Sequence, residues 1–575
     1  MASKRREAAE VPLRAWIGGD YFQDLAAGQP IEFELRLQKR HRACQPGSVE
    51  LGIEAWTTGS LSRHGYLLKE AQNTEPTQPL ASCTGARLQY RLSPNEPVWM
   101  KLLRPTLLTL ACMIAQPAMP DDLPALGDSS SGIVSPEQEH DLGRAWLSLL
   151  RAQVPQLSDP QLKDFVERSV YRLAESSQLQ DRRLEFVLLD SPQLNAFAAP
   201  GGIIGVNGGL FLHAQTEAEY ASVLAHELAH LSQRHFARGL EEQKRMQLPM
   251  MAAMLAGVVA AAAGAGDAGI AAIVSTQAAA IQAQRRFSRQ NEQEADRIGI
   301  VNLERAGYDP RAMPEMFNRL MRQYRYDQKP PEFLLTHPVT ESRIADTKNR
   351  AEQYPAGGVE DSLRYQLMRA RTELKFENTP GVTAKHFRAL LADDPGRDAA
   401  RYGLALAQIK SGQLEEATAN LKTLLEKQPD DPTYNLAQIE LDITANRLAA
   451  ARARAKTLLE LYPGSYPVRQ MNIDLLIKEN KLQQAEQALD ALVETRPKDP
   501  DIWYQVSEIR GLTGNIVGLH QARAEYFALV GDYDQAIEQL DFAKRKSANF
   551  QTAARIDARQ KALIDEKRMV DEMLR

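Results

Sequence analysis

The stretch Thr216–His235 reads TEAEYASVLAHELAHLSQRH and contains the motif HELAH at His226–His230. Thr216 and Glu219 match a capping box, in which a hydroxyl and a carboxylate satisfy the free backbone donors at the start of a helix. The stretch therefore predicts a helix that begins near Glu217 and runs through His235. The apolar residues of this stretch lie on another side of that helix from the two motif histidines, which can therefore face a cleft.

The motif also predicts a chemistry. Residues four apart share one face of a helix, so His226 and His230 can bind one metal ion through their imidazoles. Glu227 lies beside them, where its carboxylate can take a proton from an attacking water molecule. Two histidines and a carboxylate suit zinc better than softer or harder metals. The motif thus predicts a zinc hydrolase with one Zn²⁺ per chain.

A catalytic zinc ion needs a third protein ligand. The helical stretch 291–296, NEQEAD, offers Glu292 as that ligand, with Asp296 on the same face to hydrogen-bond a ligand histidine from behind. Glu294 is the alternative ligand, but it faces away from Asp296. His235 lies five residues beyond His230, roughly opposite the metal face, and is predicted to be structural.

Composition limits the class of protein. The 575 residues are 43% hydrophobic and 25% charged, which is typical of a globular chain of several domains. The formal net charge of −5 gives no basic excess, so no nucleic-acid partner is expected. The three cysteines, Cys44, Cys83 and Cys112, all precede residue 113, so the main body has neither a disulfide framework nor a thiolate zinc site.

The chain carries an unusual N-terminal region. Residues 100–120 combine a short basic segment, the apolar run Thr106–Ala115 and a small-residue exit, as a secretory signal peptide does. The interpretation is that Met100 is the true start, that residues 1–99 are an upstream extension or a mis-called start, and that 121–135 is a linker. The alternative is a real N-terminal domain in which Thr106–Ala115 is buried.

The main body, residues 136–355, mixes helices with short strands. Helical patterns cover about 136–153 and 159–176, and strand patterns cover 184–189, 195–199 and 203–207. Residues 248–283 form two apolar halves that are each too short to span a bilayer. They predict a helical hairpin, which either packs on the protein or contacts a membrane surface.

The region 362–575 is repetitive. Pro395, Pro429, Pro463 and Pro497 follow one another at intervals of 34 residues, and Gly412, Asn446, Asn480 and Gly514 keep the same step. This period, with a proline after each second helix, is the signature of tetratricopeptide repeats. After Gly514 the phase slips by half a unit, so the last units are irregular or form a cap.

Together, HELAH, the Glu292-x-x-x-Asp296 pair, the stretch 195–210 (NAFAAPGGIIGVNGGL) and His337-Pro338 resemble gluzincin peptidases of the HtpX and CAAX prenyl protease type. With an export signal and the repeats, the chain is most similar to the periplasmic, BepA-like (YfgC-like) beta-barrel assembly-enhancing proteases. The resemblance covers about residue 136 to the C-terminus. It implies a mainly α fold: an α+β metalloprotease domain with a small sheet, followed by an α-solenoid.

The resemblance also implies residue roles. The implied zinc ligands are His226, His230 and Glu292, and the implied general base is Glu227. Asp296 is the implied carboxylate that hydrogen-bonds a ligand histidine. The residues Asn195, Ala196 and Phe197 would lie in an edge strand that pairs with an extended substrate. His337 would lie close to the zinc, either filling its open position in a latent state or stabilising the oxyanion, with Arg343 as a second candidate.

The implied role is quality control of outer-membrane proteins in the periplasm. The enzyme would assist assembly of outer-membrane beta-barrel proteins and degrade those that stall, and the repeats would bind the barrel-assembly machinery or its clients. The alternative is a repeat chaperone or assembly scaffold in which proteolysis is latent or secondary. Relatives with transmembrane helices between the two zinc helices make membrane-surface contact through 248–283 a further expectation.

Overall fold

The computed structural model describes residues 31–34, 58–61, 134–244, 288–324 and 331–573. Within the predicted upstream extension, β1 (Ile31–Glu34) and β2 (Thr58–Leu61) pair in antiparallel fashion. The predicted signal peptide at 100–120, nearly all of the linker and the apolar hairpin at 248–283 lie outside the described residues. Among the described helices, none has both the length and the apolar character required to cross a membrane.

Two helices open the main body. Ser135 caps α1 (Pro136–Gln153) with a capping box that it forms with Gln138, and Asp159 caps α2 (Pro160–Ser176) by accepting hydrogen bonds from two backbone N–H groups. Both helices begin with a proline, whose missing N–H costs nothing at the first helical position. Both therefore start where the sequence predicts them.

The predicted sheet has three strands in the order β3-β5-β4. β5 (Ile203–Asn207) is fully buried in the centre, parallel to β3 (Glu185–Leu189) and antiparallel to β4 (Ala196–Ala199). Gly201 and Gly202 form the β4–β5 turn at φ values of 75° and 79°, which are strained for residues with a Cβ atom. β4 is an edge strand of this sheet, and its outer side contacts the helix that carries HELAH.

That helix is α4 (Glu217–Ser232), and it follows the short α3 (Gly209–His213). Its N-cap is Thr216, which accepts a hydrogen bond from the Glu219 N–H, as the sequence predicts. The predicted end at His235 is wrong, because the helix stops at Ser232 and Arg234 takes a left-handed φ of 49°. The chain then turns and resumes as α5 over residues 235–244.

Four further helices complete the region around the sheet. The first, α6, covers residues 288–305 and carries NEQEAD. It is followed by α7 (Ala312–Tyr324), the single-turn α8 (Glu332–Thr336) and α9 (Glu341–Ala351). One apolar core joins α2, α4, α6 and α7, so the two helices that carry the motif residues are held against each other.

From residue 363 onward the described chain is a succession of helix pairs, which confirms the predicted mainly α repeat fold. The helices are α10 (Leu363–Phe376), α11 (Pro380–Asp393), α12 (Asp398–Lys410), α13 (Leu414–Lys427), α14 (Pro432–Thr444), α15 (Leu448–Leu461), α16 (Tyr466–Lys478), α17 (Leu482–Thr495), α18 (Pro500–Leu512), α19 (Ile516–Leu529), α20 (Tyr533–Lys546) and α21 (Phe550–Met573).

The 34-residue period has a simple structural basis. Each of the four periodic prolines lies two residues beyond the end of a second helix, where its ring prevents the helix from continuing. The turns within the pairs need positive φ, which Gly412, Asn446, Asn480 and Gly514 adopt at 74°, 56°, 59° and 81°. Glycine and asparagine reach this conformation at the lowest steric cost.

The repeat helices contact the sheet-bearing region through charged pairs, of which Lys163, Asp499 and Glu185 are largely buried. Lys163 on α2 lies 2.6 Å from Asp501 and 3.3 Å from Asp499, at the start of α18. Lys498 lies 2.6 Å from Glu185 on β3. A cavity of about 250 Å³ remains between these elements.

Candidate active site

Four side chains from three parts of the chain meet at one point. His226 and His230 come from α4, Glu292 from α6, and His337 follows α8. One potential ligand atom of each lies within 4.8 Å of those of the other three. The Nε2 atoms of His226 and His230 are 3.0 Å apart, and Nδ1 of His337 lies 3.3 Å from Nε2 of His226. The two helices and the loop therefore bring together residues that are more than a hundred positions apart.

The spacing of these atoms fits a metal ion. The carboxylate of Glu292 lies 3.0 Å from Nδ1 of His337 and 3.4 Å from Nε2 of both other histidines. Four atoms arranged in a tetrahedron, each about 2.0 Å from a central zinc, lie about 3.3 Å from one another. Three imidazole nitrogens and one carboxylate oxygen are also the donor types that zinc prefers. The residues present thus fit a zinc ion in donor type and in approximate spacing.

Burial and nearby charges shift the pKa values of these candidate ligands in different directions. Burial, and then the nearby His226, lower the pKa of His230 well below its usual value. Burial also disfavours a charged His226, but Asp296 and Glu292 outweigh it and raise its pKa to about 10. Burial disfavours ionisation of Glu292, yet the contacts with His226 and His337 outweigh that effect and lower its pKa. The cluster therefore holds an ionised carboxylate among the histidines.

Glu227 lies beside this cluster and is only 1% exposed. Its Oε2 accepts a hydrogen bond of 3.0 Å from the backbone N–H of Ala198 on β4. Its Oε1 has no hydrogen-bond partner among the described residues, and Nε2 of His337 is 3.5 Å away. Burial raises the pKa of this carboxyl group. A buried carboxylate with one free oxygen and a raised pKa is suited to accept a proton.

Asp296 and Arg343 lie behind His226. Asp296 Oδ1 is 2.9 Å from Nδ1 of His226, on the opposite side of the ring from the cluster. Arg343 donates two hydrogen bonds of 2.7 Å to the Asp296 carboxylate, and its Nη1 lies 3.0 Å from Glu292. Arg343 is thus occupied by these two carboxylates and by the carbonyl of Pro338.

The structure corrects the predicted position of His235. The turn at Arg234 carries His235 back toward the end of α4, so that its Nδ1 lies 2.9 Å from Nδ1 of His230. The other ring nitrogen of His235 lies 3.2 Å from Glu294, which Arg238 contacts at 2.9 Å. His235 is therefore not opposite the histidine face, and Glu294, the alternative ligand, lies outside the cluster.

The predicted edge strand is present as β4, which begins at Ala196, so Asn195 directly precedes it. Asn195 and Ala196 are buried, and Phe197 packs edge-on against Trp146 with ring centroids 5.5 Å apart. The backbone N–H that reaches Glu227 belongs to Ala198, which motif spacing did not indicate. Only the pairing of β4 with β5 decides which N–H groups point outward.

Comparisons with known proteins agree with this architecture. The family model described as Peptidase family M48 matches residues 160–351, and that of a tetratricopeptide repeat matches residues 379–439 and 443–508. The chain is 38% identical over 472 residues to a putative beta-barrel assembly-enhancing protease of Vibrio cholerae, which covers 80% of this chain and 97% of that protein. It is 33% identical over 454 residues to the beta-barrel assembly-enhancing protease of Escherichia coli K12, with 79% and 92% covered.

A more distant similarity covers a smaller part of the chain. The chain is 32% identical over 170 residues to the mitochondrial metalloendopeptidase OMA1 of Arabidopsis thaliana, which covers 30% of this chain and 32% of that protein. The metal implied by this family has a donor set of fitting type and spacing among the described residues. The chain is a metalloprotease and belongs to the family of beta-barrel assembly-enhancing proteases, in which an M48 peptidase domain precedes tetratricopeptide repeats.

Proposed function

We propose that the chain is a zinc metalloendopeptidase in which His226, His230 and Glu292 bind one Zn²⁺ and Glu227 is the general base. The observation that carries this proposal is the convergence of four potential ligand atoms, all within 4.8 Å of one another, beside a buried carboxylate. When bound, zinc supplies a Lewis acid that polarises the substrate carbonyl and makes water more acidic. Zinc is preferred because two histidines and a glutamate match its ligand chemistry.

The remaining catalytic and positioning roles belong to side chains and backbone groups of the protein. Glu227 takes the proton of the attacking water at its free Oε1 and passes it to the amine of the departing peptide. The Ala198 N–H holds the other oxygen and so fixes the direction in which the carboxylate points. The Asp296 carboxylate, 2.9 Å from Nδ1 of His226, favours the proton on that nitrogen, which leaves the Nε2 lone pair facing the metal site.

The substrate would bind as an extended strand along β4, as an edge strand permits. Asn195 directly precedes this strand, Ala196 and Phe197 begin it, and Ala198 lies beside the general base. Backbone pairing makes few demands on side chains. Such a site therefore suits unfolded or partly assembled proteins of varied sequence.

His337 is proposed to keep the enzyme latent. Its Nδ1 lies among the ligand atoms, at 3.0 Å from Glu292 and 3.3 Å from His226. A fourth protein ligand removes the open position that a catalytic zinc site requires. The oxyanion role would need His337 to move away from Glu292 when a client binds.

The proposed place of action is the periplasm, and the proposed role is in beta-barrel assembly. Relatives in two bacteria are beta-barrel assembly-enhancing proteases, and the chain covers more than nine-tenths of each. The proposed clients are outer-membrane beta-barrel proteins, and the repeats would bind these clients or the barrel-assembly machinery. Contact of residues 248–283 with a membrane surface remains part of the proposal.

A second function, a chaperone or scaffold with secondary proteolysis, is favoured by the repeat array itself. Tetratricopeptide repeats form extended surfaces that bind peptides or partner proteins. This function and the peptidase activity can belong to one protein under different conditions.

The experiment that tests the proposal compares the wild type with Glu227→Gln. Metal analysis should find one zinc per chain in both proteins, and cleavage of an unfolded beta-barrel client should be lost in the variant. Undiminished cleavage by Glu227→Gln would contradict the proposed base. Full rescue of a deletion strain by the same variant would favour the scaffold function.

A further inference from the structure

Two predicted zinc ligands on α4 are supported from behind in different ways. His226 has Asp296 behind its Nδ1 atom, at 2.9 Å. Among the described residues, His230 has no carboxylate in this position. The group behind its Nδ1 is the ring of His235, with Nδ1 to Nδ1 at 2.9 Å. A metal-binding histidine needs an acceptor for its second ring nitrogen, because that hydrogen bond determines which nitrogen keeps its lone pair.

The neighbours of His235 determine the direction of these hydrogen bonds. If Nε2 of His230 faces the metal, its Nδ1 carries the proton and donates to Nδ1 of His235. Then the proton of His235 lies on Nε2, which is 3.2 Å from the Glu294 carboxylate. A carboxylate accepts hydrogen bonds, so each donor in the series His230–His235–Glu294 faces an acceptor.

Further contacts hold this series in place. Arg238 on α5 lies 2.9 Å from the Glu294 carboxylate. The side chain of His235 is 5% exposed, so little water competes for its ring. The left-handed turn at Arg234 is the local cause, because a helix continued through His235 would carry this ring away from His230.

We propose that His235 and Glu294 are positioning residues that hold His230 in the tautomer and orientation needed to bind the metal. The inference deepens the proposed function and rests on it. His230–His235–Glu294 would act on His230 as Asp296 acts on His226. Groups behind metal ligands typically contribute a factor of about 10 to 100 in metal affinity.

The test measures zinc affinity of the full chain by competition with a chromophoric chelator. His235→Ala should weaken zinc binding about 10- to 100-fold. His235→Gln should restore most of that loss, since its amide offers an acceptor toward His230 and a donor toward Glu294. The matched control is His213→Ala, because His213 is another partly buried histidine of this domain and contacts Tyr324 at 3.2 Å, not the cluster.

A second measurement separates positioning from packing. The thermal unfolding midpoint of the metal-free protein should be similar for His235→Gln and wild type. The absorption spectrum of the Co²⁺-loaded protein should change in His235→Ala but not in His213→Ala, because the orientation of one ligand differs.

Two results would overturn the inference. One is zinc affinity in His235→Ala equal to that of the wild type. The other is an affinity loss in both His235 variants that matches a lower unfolding midpoint of the metal-free protein, which would indicate packing alone. A wild-type chain that binds no zinc would instead overturn the proposed function, and this inference with it.

Discussion

Nδ1 of His226 lies 2.9 Å from Oδ1 of Asp296, and the same carboxylate accepts two hydrogen bonds from Arg343. The carboxylate is 1% exposed and joins α4, α6 and α9 at one point. Burial raises the pKa of Asp296, but Arg343 and His226 outweigh burial and lower it below its usual value. An ionised group is thus held where it can orient the ring of His226.

The first prediction concerns this carboxylate. Asp296→Asn keeps the shape of the side chain but removes the charge that faces Arg343 and His226. Zinc affinity should fall about 10- to 100-fold, as measured by chelator competition. Asp346→Asn is the matched control, because Asp346 is a half-exposed carboxylate that pairs with Arg350 and Arg297 and contacts none of the four cluster residues, so zinc affinity should stay unchanged.

The second prediction concerns latency. His337→Ala removes the fourth donor and the contact with Glu292, so the resting peptidase rate should rise. A contact worth about 1.4 kcal/mol corresponds to a rate increase of about tenfold. Cleavage of an unfolded client by the purified protein measures the rate. A strong decrease would favour the oxyanion role instead.

The third prediction concerns the edge strand. Ala198→Pro removes the N–H that holds Glu227, while an outward-facing edge position tolerates proline. A hydrogen bond to a charged group contributes about 1.5–3 kcal/mol, so kcat/KM should fall about 10- to 100-fold. Ala198→Gly keeps the N–H and should retain activity. Equal loss in both variants would contradict a role for this hydrogen bond.

The fourth prediction concerns docking of the repeats. Lys163→Met removes the nearest cation from the buried carboxylate of Asp499, which keeps only Arg496 at 3.6 Å among its ion pairs, and should lower the free energy of unfolding by about 3 kcal/mol. Lys422→Met, which removes an exposed helix pair with Glu426, should change it by less than about 0.5 kcal/mol. Denaturant unfolding of both variants provides the comparison, and similar values would show that the buried pair is unimportant.

The fifth prediction is a pH dependence. Burial raises the pKa of Asp501, but the attraction of Lys163 outweighs it and lowers the pKa below the ordinary 3.8. The stability that this group contributes is complete above about pH 4 and is lost as the pH falls through the lower folded-state pKa. The difference in unfolding free energy between wild type and Asp501→Asn should shrink only below that pH. A difference that grows on acidification would contradict the ion pair.

Local chemistry allowed several elements to be predicted from the sequence. A proline at a helix start and Thr216 as an N-cap act on the backbone within a few residues. The 34-residue step reflects one helix–turn–helix unit that is repeated along the chain. Helix starts and repeat turns were therefore predicted closely. The end of α4 was predicted wrongly, since the left-handed turn at Arg234 uses a residue that has no strong preference for that conformation.

The metal-binding motif, Glu227 and the repeat architecture could be predicted from the sequence alone, because each depends on fixed spacing along one helix or one repeat. The resemblance implied that His337 lies close to the metal site, but its contact with Glu292, the hydrogen bond from Ala198 to Glu227 and the contact between His235 and His230 follow only from the folded chain. These contacts join segments that are distant in sequence or separated by a turn. Their geometry depends on how helices and strands pack together, which residue spacing does not specify.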